Sequence, residues 1–306
     1  MRVKENLQYY SLKSGWYLLS LLPFRIMYLI SDGLFFLIFY IIRYRRKLVR
    51  KNLSESFPEK GIKEISHIEK RFYHFFTDYV FETCKLATIS KKEMMRRMIF
   101  TNIDVIESEI SQGKSVTLFL GHYCNWEWIS SLPMYISTPF TAGQVYQEIK
   151  NVAVDRLFLE NRGKFGSNSV ELNHIARWAN MQIKNNHTIA VGYIADQSPH
   201  WHSMNHWIHF LNHETSAFIG PEKITKKYDF QAYFIDIKRP KRGCYQAEFI
   251  KLHDDPKSLP DFELTDIYFS VLEKTIHRDP TLYLWTHNRF KRTREEYEKR
   301  KSQKLL

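Results

Sequence analysis

Apolar and polar positions divide the chain into contrasting stretches. Residues 18–42, LLSLLPFRIMYLISDGLFFLIFYII, are apolar almost throughout, with only Arg25 and Asp32 charged. As one helix the run would reach about 37 Å, enough for a hydrocarbon core of about 30 Å. Two charges make it a marginal span, each costing about 2.5–3.5 kcal/mol on insertion. The run is therefore expected to be a membrane anchor that crosses the bilayer, lies in its interface or packs partly on its own domain. No small-residue cleavage site follows it, so a cleavable signal peptide is not expected.

Over 64–87 the apolar positions follow helical spacing, as at Ile65, Ile68, Phe72 and Phe75. SKKEMMRRM opens a further helix with Ser90 as its cap, and NIDVIESEISQGK reads as a helix ending at Gly113. Beyond this the period changes. SVTLFLG, FTAGQVYQE and HTIAVGYIADQSP are short apolar runs of strand length. HYCNWEWISSLPMYI and NVAVDRLFLENRGKFG between them read as helices, and FQAYFIDIKRP with GCYQAEFIKL as a hairpin across KRPKRG. This alternation predicts an α/β fold, a mixed central sheet flanked by helices, with active groups at strand ends. Residues 1–51 form an expected N-terminal anchor with a basic flank. Residues 52–306 form the main domain, with a helical lead-in at 52–100 and an α/β core at 101–306.

Charge adds a direction to the anchor. The chain carries 45 basic and 33 acidic residues, a net of +12, which suits polyanionic partners. RYRRKLVRK, Arg43 to Lys51, places six basic and no acidic residues directly after the apolar run. Positive flanks stay on the cytoplasmic side, so the main domain is expected at the cytoplasmic face of a membrane, against an anionic surface. The second basic stretch, Arg289–Lys304, holds eight basic and three acidic residues and reads as a C-terminal helix. Nucleic acid would also suit the charge, but no helix-turn-helix, zinc finger or aromatic RNA-binding motif is present, and it is not an expected partner. The three cysteines are dispersed and form no CxxC, which fits a reducing compartment.

Candidate chemistry is concentrated in LFLGHYCNWEW. A histidine just past a strand end takes a proton from a hydroxyl near neutral pH, and a carboxylate behind it fixes its tautomer. His122 and Glu127 offer that pair. On a regular helix i,i+5 side chains lie about 140° apart, so the two meet only if His122 sits in the loop before the helix, a turn Gly121 allows. Cys124 offers a rival Cys–His nucleophile. HWHSMNHWIHFLNHE has five histidines, with i,i+4 pairs at His202/His206 and His209/His213. On a helix they would suit zinc, but the segment reads as a loop and no metal site is expected.

LGHYCNWEW resembles the G-H-x-G-N-W-E block of the lipid A secondary acyltransferases, the lauroyl/myristoyl type, relatives of the H-x4-D/E glycerolipid acyltransferases. DRLFLENRGKFG, GYIADQSP, FLNHETSAFIGPEKITKK and HRDPTLYLWTHNRFK resemble further blocks of that family in the same order, together covering roughly 102–292. The resemblance implies a glycerolipid-acyltransferase-like fold, with His122 as general base and Glu127 orienting it. Asn125 and Trp126 complete the block. Arg162 falls on the basic position, Asp196 and Gln197 on the neighbouring strand end, and Thr215 and Gly220 on the substrate-facing loop. Cys124 departs from the family's usual glycine. The implied reaction moves a fatty acyl chain from an acyl-carrier-protein thioester to a hydroxyl of a lipid A precursor, with no cofactor. A lysophospholipid or an amino-acid lipid is an alternative acceptor, and a non-enzymatic basic binding protein a more distant reading.

Overall fold

A computed structural model describes residues 3–303 and 305; residues 1 and 2 of the expected anchor segment and Lys304 of the basic C-terminal stretch lie outside the described residues. The apolar run at 18–42 is not one helix. Proline has no N–H to donate and its ring clashes with a preceding helical turn, and Pro23 separates α1 (Val3–Leu21) from α2 (Phe24–Phe36). One wider turn, Leu37–Ile41, extends α2, with the Ile42 N–H donating to the Leu37 carbonyl. The resulting Phe24–Ile41 helix has 18 residues and a mean hydropathy of 1.7. At about 27 Å it has the length and composition to cross a membrane.

The helical lead-in follows as α3 (Arg46–Ser56), α4 (Ile62–Lys85) and α5 (Lys91–Arg97). Ile65, Ile68, Phe72 and Phe75 of α4 are buried, as their spacing requires. Ser90 caps α5, its Oγ accepting from the Glu93 N–H. The rest of the chain runs β1 (Met98–Phe100), α6 (Ile103–Ser111), β2 (Val116–Leu120), β3 (Thr141–Tyr146), α7 (Val152–Gly163), β4 (Asn168–Glu171), α8 (Ile175–Lys184), β5 (Ile189–Ile194), β6 (Trp207–Phe210), β7 (His213–Ser216), α9 (Gly220–Tyr228), β8 (Gln231–Lys241), β9 (Cys244–His253), α10 (Glu263–Arg278) and α11 (Arg294–Ser302).

Seven strands make one mixed sheet in the order β1-β9-β8-β2-β5-β3-β4. The five from β8 to β4 are parallel, β9 is antiparallel to β8, and β1 is parallel to β9. β6 and β7 form a separate antiparallel pair. The hairpin expected from KRPKRG is β8–β9. The two faces of β5 are used differently. Ile189, Val191 and Tyr193 pack with Ile175 and Ala179 of α8 and Ile224 of α9, whereas Ala190, Gly192 and Ile194 lie along a cavity.

Two expected helices differ. The segment after His122 is a 3₁₀ helix, Trp126–Met134, rather than an α-helix, with Pro133 inside it. The C-terminal helix begins only at Arg294, because Arg289 is buried, donating to Thr215 Oγ1 and the Ser216 carbonyl at 2.8 Å each.

Candidate active site

β2 and β5 lie side by side in register, Leu120 opposite Ile194. Two residues beyond each strand end the register brings His122 against Asp196. The Asp196 carboxylate takes two hydrogen bonds from the same residue, with His122 Nδ1 2.6 Å from Oδ1 and the His122 backbone N–H 3.1 Å from Oδ2. The loop carrying His122 is tied to a distant segment. The Leu284 N–H donates to the His122 carbonyl at 3.0 Å, and the Cys124 N–H to the Leu282 carbonyl at 2.8 Å. Tyr123 and Tyr283 form an isolated β-bridge between these bonds. Gly121 serves by close approach rather than by an unusual backbone angle: a Cβ there would stand 2.5 Å from Leu272 Cδ1 of α10.

Burial alone would raise the Asp196 carboxyl, but the His122 imidazole and the hydrogen bonds it receives hold it below the usual carboxylate range. An ionised Asp196 favours the His122 tautomer with its proton on Nδ1, which makes Nε2 the accepting nitrogen. Nε2 lies 3.1 Å from the side-chain amide nitrogen of Gln197. The His122 ring rests edge-on against Trp126, which in turn packs on Tyr79. His287 is neutral in this setting, because burial lowers its pKa to about 4.

Among the described hydrogen bonds none joins Glu127 to His122, so the expected pairing of these two is not made. Glu127 is buried and accepts from Arg162, Nε at 2.8 Å and Nη2 at 2.6 Å. Burial works against the Arg162 charge and the Glu127 carboxylate outweighs it, raising the Arg162 pKa. The reason is placement: the loop between Gly121 and the 3₁₀ helix directs His122 to the β5 end, while Glu127, in the first turn of that helix, faces α7.

His122, Glu127, Arg162 and Gln197 line one cavity of about 580 Å³, within the range of small-molecule sites. It extends from the strand ends down the sheet face past Leu120 and Leu118 of β2 to Gly192 and Ala190 of β5, with Ile129 and Leu132 opposite. The other expected site residues do not reach it. Asn125 is buried, donates to Glu82 Oε2 at 2.8 Å and caps the 3₁₀ helix by accepting from the Trp128 N–H. Thr215 is buried and accepts from Arg289. Gly220 opens α9, behind Phe218, whose ring does line the cavity. These three shape the surroundings of the cavity instead of its wall.

Cys124 has φ +59° and is buried, and burial pushes its thiol pKa well up. A thiol so held is a poor nucleophile, and left-handed backbone explains why glycine suits this position. Cys124→Gly is expected to keep full catalytic activity, checked by initial rates; loss of activity in a folded variant would restore the thiol as a candidate. The histidine-rich segment is partly strand: His209 and His213 lie in β6 and β7. His206 pairs with Asp266 at 2.6 Å and His213 stacks on Phe290. Among the described residues no group of three or more His, Cys, Asp or Glu side chains is placed to hold a metal ion.

A histidine is thus fixed by a carboxylate at adjoining parallel strand ends, at a cavity that runs down an apolar sheet face of an α/β fold. The family model of the bacterial lipid A biosynthesis acyltransferases matches residues 5–292 of the 306, and the chain belongs to that family. It is thus an acyltransferase. No curated protein matches the chain.

Proposed function

We propose that the enzyme transfers a fatty acyl chain from an acyl-carrier-protein thioester to a hydroxyl of a lipid A precursor, at the cytoplasmic face of the inner membrane. The observation that carries this is His122 Nε2 at the head of the cavity, with Asp196 behind it, in a chain of this family. His122 takes the proton of the acceptor hydroxyl as its oxygen attacks the thioester carbonyl. The tetrahedral intermediate expels the carrier thiolate, and the imidazolium returns the proton to sulfur. The amide of Gln197, 3.1 Å from Nε2, gives way to the hydroxyl and serves as a side-chain donor for the developing oxyanion, a role worth roughly 3 kcal/mol. Glu127 holds Arg162 as a neutral pair in the wall, which leaves Arg162 less available to substrate anions than a lone cation.

Donor and acceptor are tested by offering the detergent-solubilised protein equal concentrations of acyl-carrier-protein and coenzyme A thioesters. The acceptors are an under-acylated lipid A precursor, a lysophospholipid and an amino-acid lipid, in parallel. Preference for the carrier thioester and the lipid A precursor is expected. Faster acylation of either other lipid would transfer the assignment to that class.

The acyl chain is read as lying along β5. Gly192 is four residues before Asp196, about 13 Å down the strand. Its missing side chain, with Ala190 and Ala142 beside it, gives the cavity its depth. A Cβ at Gly192 would make only ordinary contacts, 3.7 Å from Leu120 Cδ1, so longer side chains extend into the cavity. Gly192→Leu is expected to shift preference toward shorter acyl donors, measured by competition among thioesters of graded length. An unchanged preference would place the chain elsewhere.

A further inference from the structure

Exposed apolar residues on α1 and α2 mark a membrane-facing surface, and the packing of both helices decides how it meets the membrane. α2 is fastened to α4 along its length. At the Pro23 break Lys85 Nζ donates to the Ser20 and Leu22 carbonyls at 2.6 and 2.8 Å. Midway, Ser31 donates to Asp78 at 2.8 Å, and the His74 ring stacks on Phe35 with centroids 3.8 Å apart. Near the end Phe39 packs edge-on against Tyr73. The charge of Asp32 is met by Arg242 of the β8–β9 turn at 2.6 Å.

The segments on either side of α2 dock on the same body. Before it, α1 is bound to α7: the Tyr9 hydroxyl donates to Glu160, Lys13 pairs with Glu160 at 2.7 Å, and Trp16 packs edge-on against Phe158. After it, Arg46 and Arg50 of α3 both bind Glu69 of α4. Asn52 of α3 donates to the Trp285 and His287 carbonyls at 3.0 and 3.1 Å. A spanning α2 would separate α1 from α3 by a hydrocarbon core of about 30 Å. It would also draw the paired part of α4 in with it, bringing exposed Lys70 and Arg71, next to the Phe39–Tyr73 contact, toward lipid at about 2.5–3.5 kcal/mol for each charge.

We propose that the protein is monotopic. α2 lies in the plane of one anionic leaflet, with Leu29, Ile30, Phe36, Leu37 and Ile41 entering the acyl boundary. These side chains are 40–67% exposed and form the face opposite Met27, Ser31 and Phe35. Exposed Leu18 and Leu21 of α1 extend this apolar surface. Exposed Arg25, Arg43, Arg45 and Lys47 supply cations for anionic headgroups, the pattern of an interfacial helix. α1 is bound to α7, the helix that brings Arg162 to the cavity, so the membrane-bound surface and the cavity wall are mechanically joined. This inference rests on the membrane reading of the proposed function.

The test is protease protection of the full chain carrying an epitope tag at each end, in bacterial spheroplasts. Both tags are expected to survive in intact spheroplasts, to be lost after permeabilisation, and to sediment with membranes. Loss of one tag alone in intact spheroplasts means that α2 spans the bilayer, which overturns the monotopic arrangement but not the membrane reading. Recovery of both tags in the soluble fraction overturns the membrane reading itself, and a dimer mass there would assign the apolar face to a second copy. Leu29→Glu with Phe36→Glu, on side chains turned away from α4, is expected to release at least about tenfold more protein from the membrane while circular dichroism stays unchanged. No release would contradict insertion of this face.

Discussion

Asp196→Asn is expected to lower kcat by about two to four orders of magnitude. The asparagine side chain is nearly isosteric with aspartate, so packing beside Tyr268 and Tyr283 is kept, but its chemistry at His122 is reversed. An amide N–H directed at Nδ1 drives the imidazole proton to Nε2, the nitrogen proposed to accept the proton of the hydroxyl. The carboxylate that would stabilise the imidazolium is lost as well. The two hydrogen bonds at 2.6 and 3.1 Å show how fully His122 depends on this one group. The loss should fall on kcat, with the KM for acceptor little changed, because Asp196 lies behind the imidazole and does not line the cavity. Steady-state rates on a variant with wild-type circular dichroism would check it. A loss confined to KM would mean that Asp196 acts through the shape of the pocket.

Glu127→Ala is expected to act first on stability. It leaves the Arg162 guanidinium largely buried without its carboxylate, a change that costs about 3–5 kcal/mol when one partner of a buried pair is removed. The Arg162 side chain keeps 20% of its exposure, which favours the lower end of that range. A fall in Tm of several degrees is the expected readout. Glu127→Gln keeps the shape and one acceptor for Arg162, so it should lose less of both stability and activity. The contrast between the conservative variants separates the carboxylates: Asp196→Asn should lose far more kcat than Glu127→Gln. Equal losses of kcat, with Tm unchanged in both, would mean that Glu127 reaches His122 during the reaction.

Local pattern carried much of the fold. Val116–Leu120 and Ile189–Ile194 are apolar runs of strand length, and both are buried parallel strands. The turn at KRPKRG and the cap at Ser90 are short-range signals that the chain obeys. The histidine at the end of an apolar run was visible because strand ends are where α/β folds present their chemistry. Asp196 enters as a site residue only through the family resemblance, and its pairing with His122 was not visible. Asp196 is 74 residues from His122, and they meet because β2 and β5 are neighbours in register, which no local periodicity contains. Glu127 was the nearer carboxylate in sequence, and the 3₁₀ helix turns it to Arg162 instead. The same limit applies at the N-terminus. Hydropathy marks residues 18–42 as apolar but passes over the break at Pro23, and the attachment of α2 to α4 depends on side chains more than thirty residues away. Arg289 reads as part of a basic C-terminal helix, but its hydrogen bonds to Thr215 and Ser216 bury it beside the β6–β7 pair.

We propose that His122, held by Asp196 at the head of the cavity, activates the hydroxyl of a lipid A precursor for acyl transfer. It is tested most directly by mass spectrometry of the lipid after incubation with acyl-carrier-protein thioesters, for the wild-type protein and for His122→Ala side by side. A mass gain of one acyl chain is expected with the wild type, and a rate reduced by about 10²–10⁴ in the variant. An equal gain with a folded His122→Ala protein, or no gain with folded wild type, would contradict it.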